Sequence, residues 1–214
     1  MATKLIFIRH GESMANFSRI FTGQGNFPLS PLGHKQADLA GQYLKDTPID
    51  VFYASDLLRA FMTGQHVAAY HGIPVIPCEG MREIHAGKWE GMRFNDIEST
   101  YVEEYRIWKT DIGHACPVGG ERVTDLAKRV YETVLSIVKK HPDSCVCIAT
   151  HATSIRALQA IFSGLPIDRM CENPWVPNAS ITTVVCEGDG TFHDLVVGDV
   201  SHLVGLETVL PKNV

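Results

Sequence analysis

Two hydrophobic rhythms alternate along the chain. Unbroken apolar runs at residues 4–9, 50–54 and 145–149, with a shorter one at 74–77, predict strands buried on both faces. Between them apolar residues recur at the spacing that gathers side chains on one face of a helix. Ser30-Pro31 opens one such helix, Ser as N-cap and Pro at its first position, with Leu32, Gln36, Leu39, Ala40, Tyr43 and Leu44 at the spaced positions. Ser55 or Asp56 is expected to cap the next helix, which turns Leu58, Phe61, Met62 and Ala68 or Ala69 inward. Residues 93–110 read as helical and aromatic-rich, with Phe94, Tyr101, Tyr105 and Trp108. The clearest helix spans 121–140, with a stripe of Val123, Leu126, Ala127, Val130, Val134, Ile137 and Val138, and His141-Pro142 stops it. A last helix carries Ile155, Leu158 and Ile161 and closes at Gly164. Residues 181–186 and 192–197 flank Gly188-Asp189-Gly190 as a hairpin, whereas residues 10–29 form a long polar, glycine-bearing stretch.

Strands alternating with helices require right-handed crossovers. The expected fold is therefore α/β, a three-layer sandwich with a mostly parallel central sheet and helices on both faces. The 214 residues suit one domain, 1–214, with a helical cap over about 84–120.

Composition narrows the class. Lys plus Arg number 19 against 24 Asp plus Glu, a net charge of -5, which argues against a nucleic-acid partner held by phosphate attraction. No apolar run approaches the ~20 residues of a membrane helix, and the N-terminus runs into a strand without a signal segment. A cytoplasmic protein without a membrane partner is expected. The six cysteines form no CxxC pair and match no zinc spacing, so they read as free thiols; Cys145 and Cys147 share one face of a strand. No metal site and no cofactor are expected.

In parallel sheets ligands sit beyond the carboxyl ends of the strands. Arg9-His10-Gly11-Glu12 follow the first strand, Arg59 opens the helix after the second, and Thr150-His151 follow the late one. Two forked guanidinium groups suit a tetrahedral dianion, and the first turn of a helix adds free N–H groups for Arg59's ligand. A neutral imidazole is a nucleophile near neutral pH, so attack by His10 on phosphorus gives a phosphohistidine. Arg9, Arg59 and His151 can neutralise the transferred group without a metal. Glu83, in the loop after the third strand, is the candidate to protonate the leaving oxygen. Taken singly, each residue has a plainer reading as a surface ion pair, an edge histidine or a solvated carboxylate. Their joint placement at strand ends carries the prediction.

The motifs resemble those of the histidine phosphatase superfamily, the phosphoglycerate mutase-like family. Leu5-Ile-Phe-Ile-Arg-His-Gly-Glu-Ser13 is similar to its signature strand and nucleophile loop. Phe21-Thr-Gly23, Leu29-Ser-Pro-Leu-Gly33, Ser55-Asp-Leu-Leu-Arg-Ala60, Arg82-Glu83, Gly87-Lys-Trp-Glu-Gly91, Gly119-Gly-Glu121, Thr150-His151 and Asn178-Ala-Ser-Ile-Thr182 follow in family order. The resemblance implies His10 as the phosphorylated nucleophile, Arg9, Arg59 and His151 as holders of the phosphoryl group, and Glu83 as proton donor. It implies that Asn16, Thr22, Gly23 and Ala152 lie against substrate. Two departures stand out: Met62-Thr63-Gly64 replaces Arg-Thr-Ala, expected to alter helix packing only, and Ala152 replaces a common Gly.

The same pocket serves hydrolases and mutases. Between Glu83 and Glu121 the basic residues are Lys88, Arg93, Arg106 and Lys109, with no adjacent arginine pair over the site. That fits a metal-independent phosphomonoesterase acting on a small phosphorylated metabolite. A cofactor-dependent phosphoglycerate mutase is the alternative, and a silent phosphate-binding protein the third reading. Trp89, Tyr101, Tyr105 and Trp108 either stack on substrate or pack the cap onto the core. The apolar stretch 203–210 covers either a homodimer edge or the chain's own core.

Overall fold

The computed structural model describes residues 2–208. Six strands form one sheet: β1 (Ala2–Arg9), β2 (Val51–Ala54), β3 (Val75–Pro77), β4 (Cys145–Thr150), β5 (Ile181–Glu187) and β6 (Phe192–Asp199), in the order β3-β2-β4-β1-β5-β6. The pairings from β3 to β1 are parallel; β5 and β6 add an antiparallel hairpin at one edge. The predicted α/β sandwich is thus observed.

Period-two alternation divides the core. Leu5, Phe7, Val146 and Ile148 point to one face, where α6 (Val123–Lys140) and α7 (Ala152–Phe162) cover them. Ile6, Ile8, Cys145, Cys147 and Ala149 point to the other, under α2 (Pro31–Leu44) and α3 (Leu58–Ala69). All six cysteines are free. No helix among the described residues is long and apolar enough to cross a membrane.

Several boundaries and faces differ from expectation. The polar stretch 10–29 contains a short helix, α1 (Met14–Phe17), closed by a Ser13/Asn16 capping box. Residues 93–110 form two helices, α4 (Phe94–Thr100) and α5 (Val102–Thr110), broken at Tyr101. Neither Ser55 nor Asp56 caps α3: strand pairing still holds Ser55, whose N–H donates to Ala149 O at 2.9 Å, and the cap is Leu57. Helix α3 turns Ala68 and, in part, Phe61 inward as expected, but its buried side extends to residues the apolar spacing did not mark. Leu58 is 40 % exposed, while Arg59, Ala60, Thr63, Gly64, Val67 and Ala68 are buried. Tyr43 on α2 is 50 % exposed and bonds Asp199 at 2.9 Å. Of the stretch 203–210, Leu203 is buried in the chain's own core and Leu206 O accepts Gln36 Nε2 at 2.7 Å; Val209 and Leu210 lie outside the described residues.

Candidate active site

β1, β4 and β2 end side by side, which aligns the residues just beyond their carboxyl ends. Arg9 is level with Thr150 and Ala54 with Ala149, and His10 N–H donates to Thr150 O at 2.9 Å. His10, His151 and Ser55 therefore leave the sheet together. The loop after β1 presses backbone against the first turn of α2. A Cβ on Gly11 would lie 2.4 Å from Gly33 O, and one on Gly33 would lie 1.9 Å from Glu12 O, so both positions require glycine. Ser30 caps α2 as predicted, accepting Gly33 N–H at 3.0 Å, and its hydroxyl donates to Glu12 at 2.6 Å.

His10 Nδ1 sits 2.7 Å from Gly11 O. A carbonyl only accepts, so Nδ1 carries the proton and Nε2 the lone pair. Arg59 Nε donates to that Nε2 at 3.3 Å, while its other nitrogens hold Gly23 O at 2.8 Å and Gly25 O at 2.9 Å. Arg9 donates to Val176 O at 2.6 Å. The His151 ring lies edge-on to His10, centroids 5.2 Å apart, and its Nε2 is 2.8 Å from Ser55 Oγ. Glu83 receives the N–H groups of Ile84 at 2.8 Å and Thr153 at 3.2 Å, the latter in the first turn of α7.

These residues surround a cleft of about 490 Å³. Arg9, His10, Arg59 and Glu83 line its floor; Asn16, Thr22, Gly23 and Ala152 line it too. His151 packs beneath, fully buried against His10. The nine residues expected to form the site, Arg9, His10, Asn16, Thr22, Gly23, Arg59, Glu83, His151 and Ala152, are thus brought to one place, whereas Trp89, Tyr101 and Tyr105 lie outside the cleft. Asn16 Oδ1 is engaged by Ser13 N–H at 3.1 Å and Asn178 at 3.3 Å, which leaves its Nδ2 for a ligand. The far wall is Ile20, Phe21, Ile84, Phe94, Trp108 and Trp175.

Sequence reasoning gave no place in the site to four neighbours. Ser55 holds His151; Thr63 Oγ1 accepts Gly11 N–H at 3.1 Å; Asn178 Nδ2 donates to His10 O at 3.0 Å; Trp175 closes the far wall. Thr63 is the residue that Met62-Thr63-Gly64 shares with Arg-Thr-Ala, so its bond to Gly11 stands apart from the two departures beside it, Met62 and Gly64. Its position one turn after Arg59 was the available signal.

Burial sets the electrostatics. His10 is pushed well below the usual imidazole value, first by burial and then by Arg59 and Arg9. His151 is pushed well below it by burial, then by Arg59, His10 and Arg9. Burial also lowers Arg9 and Arg59 to about 10, against the opposing pull of Glu83. Both guanidinium groups stay charged near neutrality, and both imidazoles are neutral. Such a cleft is cationic, with an uncharged imidazole at its floor.

Comparison with known proteins agrees with this constellation. The chain is 30 % identical over 174 residues to phosphoserine phosphatase 1 of Hydrogenobacter thermophilus, covering 79 % of this chain and 82 % of that one. It is 32 % identical over 173 residues to a 2,3-bisphosphoglycerate-dependent phosphoglycerate mutase of Bartonella tribocorum, covering 77 % and 84 %. The solved structure of Bacillus stearothermophilus YhfR superposes with a TM-score of 0.89 at 34 % identity, covering 94 % of this chain and 99 % of that one. The model of the histidine phosphatase superfamily (branch 1) matches residues 5–197, and the chain belongs to that family.

Proposed function

We propose that the protein is a metal-independent phosphomonoesterase that hydrolyses a small phosphorylated metabolite through a phosphohistidine on His10. One observation carries this reading: Nδ1–H is tied to Gly11 O, so the lone pair of Nε2 stands beside the Arg59 guanidinium in the cleft. In the first step Nε2 attacks phosphorus, an N–P bond forms, and the bond to the leaving oxygen breaks. Glu83 gives that oxygen its proton. In the second step Glu83, now a carboxylate, takes a proton from water as the water attacks phosphorus. The N–P bond breaks, and His10 and free phosphate result.

Arg9, Arg59 and His151 hold the three non-bridging oxygens in this scheme. Arg9 Nε and His151 Nδ1 are buried without a hydrogen-bond partner among the described residues. Ser55 Oγ lies 2.8 Å from His151 Nε2; in this scheme it gives that nitrogen its hydrogen, which puts the ring proton of His151 on Nδ1, toward the phosphoryl oxygen. Asn16, Thr22, Gly23 and Ala152 flank the group behind phosphorus, and residues 84–120 serve as the cap.

The lining of the cleft favours phosphatase over mutase. A mutase must retain a substrate with a second anionic end, yet beyond Arg9 and Arg59 no Lys or Arg among the described residues lines the cleft. Similarity to a phosphoglycerate mutase makes mutase activity the second reading. Phosphorus NMR of 3-phosphoglycerate with a trace of the 2,3-bisphosphate separates the two. Free phosphate is expected; 2-phosphoglycerate formed without phosphate would reverse the choice. With p-nitrophenyl phosphate, activity is expected to survive EDTA and to fall on the order of 10³-fold or more in His10→Ala.

A further inference from the structure

The Gly119-Gly-Glu121 motif takes no part in the cleft, yet it reaches the loop that carries Glu83. Glu121 forms a two-point ion pair with Arg129 of α6, Nε to Oε1 at 3.0 Å and Nη2 to Oε2 at 2.9 Å. The same guanidinium grips the loop: Nη1 donates to Gly80 O at 2.9 Å and Arg82 O at 3.1 Å, and Nη2 to Glu83 O at 3.4 Å. Glu121 also holds the residue two places beyond Glu83. It accepts His85 N–H at 3.2 Å and donates its own N–H to His85 O at 2.7 Å. Gly120 allows that approach, because a Cβ there would lie 2.3 Å from His85 O.

Other elements take the remaining carbonyls. Thr150 Oγ1 donates to Met81 O at 2.7 Å, Ser154 Oγ to Arg82 O at 3.1 Å, and Gln24 Nε2 to Glu83 O at 3.1 Å. Four consecutive carbonyls, Gly80 to Glu83, thus accept side-chain hydrogen bonds. Satisfying a carbonyl requires one donor, and a water serves as well. A planar fork held by its own carboxylate does something more: it fixes where the backbone sits. Proton transfer depends on such placement to within a fraction of an ångström.

We propose that Arg129 and Glu121 are positioning residues for Glu83, setting its carboxyl group in reach of the leaving oxygen. The inference rests on Glu83 being the proton donor, and the experiment tests the two separately. Arg129→Met, Arg129→Lys and Glu83→Gln are assayed on p-nitrophenyl phosphate, whose leaving group hardly needs a proton, and on glycerol 2-phosphate, whose leaving group does. Arg129→Met is expected to lower kcat on glycerol 2-phosphate at least about tenfold, with KM and the p-nitrophenyl phosphate rate within about twofold. Arg129→Lys falls between, and adding Arg129→Met to Glu83→Gln lowers the alkyl ester rate no further. Equal losses on both esters, or additive losses in the double variant, would overturn the positioning role even where Glu83→Gln alone is selective for the alkyl ester. Equal slowing of both esters by Glu83→Gln would remove the proton donor and the inference with it. If Arg129→Met does not fold, Arg129→Lys and Glu121→Gln carry the same comparison.

Discussion

An imidazole that attacks phosphorus must be neutral, and His10 is kept neutral by its surroundings rather than by a base. Burial, Arg59 and Arg9 all push its protonation to lower pH. The expected consequence is a nitrogen-15 imidazole signal that stays neutral as the free protein is titrated down through the ordinary histidine value of about 6.5. A midpoint at or above that value would show that the two guanidinium groups do not act on His10. At this scale the sequence was legible where a residue followed a buried strand: Arg9, His10 and His151 were found that way. Ser55, Thr63 and Asn178 were not, because each acts through a hydrogen bond to a partner 52 to 168 positions away. Such a bond leaves no local pattern.

Helices show the same division. α6 was legible because its apolar stripe runs unbroken along one face: Val123, Leu126, Ala127, Val130, Val134 and Ile137 are buried, with Val138 partly so, and Arg129 leaves that stripe intact. α3 was read only in part: Ala68 is buried and Phe61 packs on the core as expected, but the site adds a polar buried side that the apolar spacing did not show. Its buried side carries Arg59 and Thr63, and its apolar Leu58 faces outward. Counting hydrophobic positions fails wherever a polar residue is buried for chemistry. The cap aromatics divide by packing. Trp89 is fully buried, edge-on to Phe21, Tyr105 and Trp108 at 5.4 to 5.9 Å, so it joins the cap to the core. Of Trp89, Tyr101, Tyr105 and Trp108, Trp108 alone lines the cleft. Trp89→Ala is expected to cost about 3–5 kcal/mol in urea unfolding, and Trp89→Phe much less. A loss under about 1 kcal/mol would mean that the cap folds independently of this cluster.

Across the whole molecule the burial of four titratable groups in the site costs stability, and a bound anion is expected to offset part of that cost. Arg9, Arg59, His10 and His151 are buried together, and all four carry pKa values lowered by burial. For the two histidines the sign follows from linkage. The unfolded chain takes up protons near pH 6.5 and the folded chain does not, so stability is retained above that pH and lost as pH falls toward the folded values. A bound oxyanion opposes this, because its negative charge favours the protonated imidazoles and offsets the repulsion between the guanidinium groups. Millimolar sulfate, a dianion throughout the range, is therefore expected to raise Tm more at about pH 5 than at about pH 8. Chloride at equal ionic strength should not reproduce the difference, and His10→Ala should shrink it. A sulfate shift independent of pH would mean that the anion is held by the arginines alone, leaving the imidazoles uncoupled from the ligand they are placed to serve.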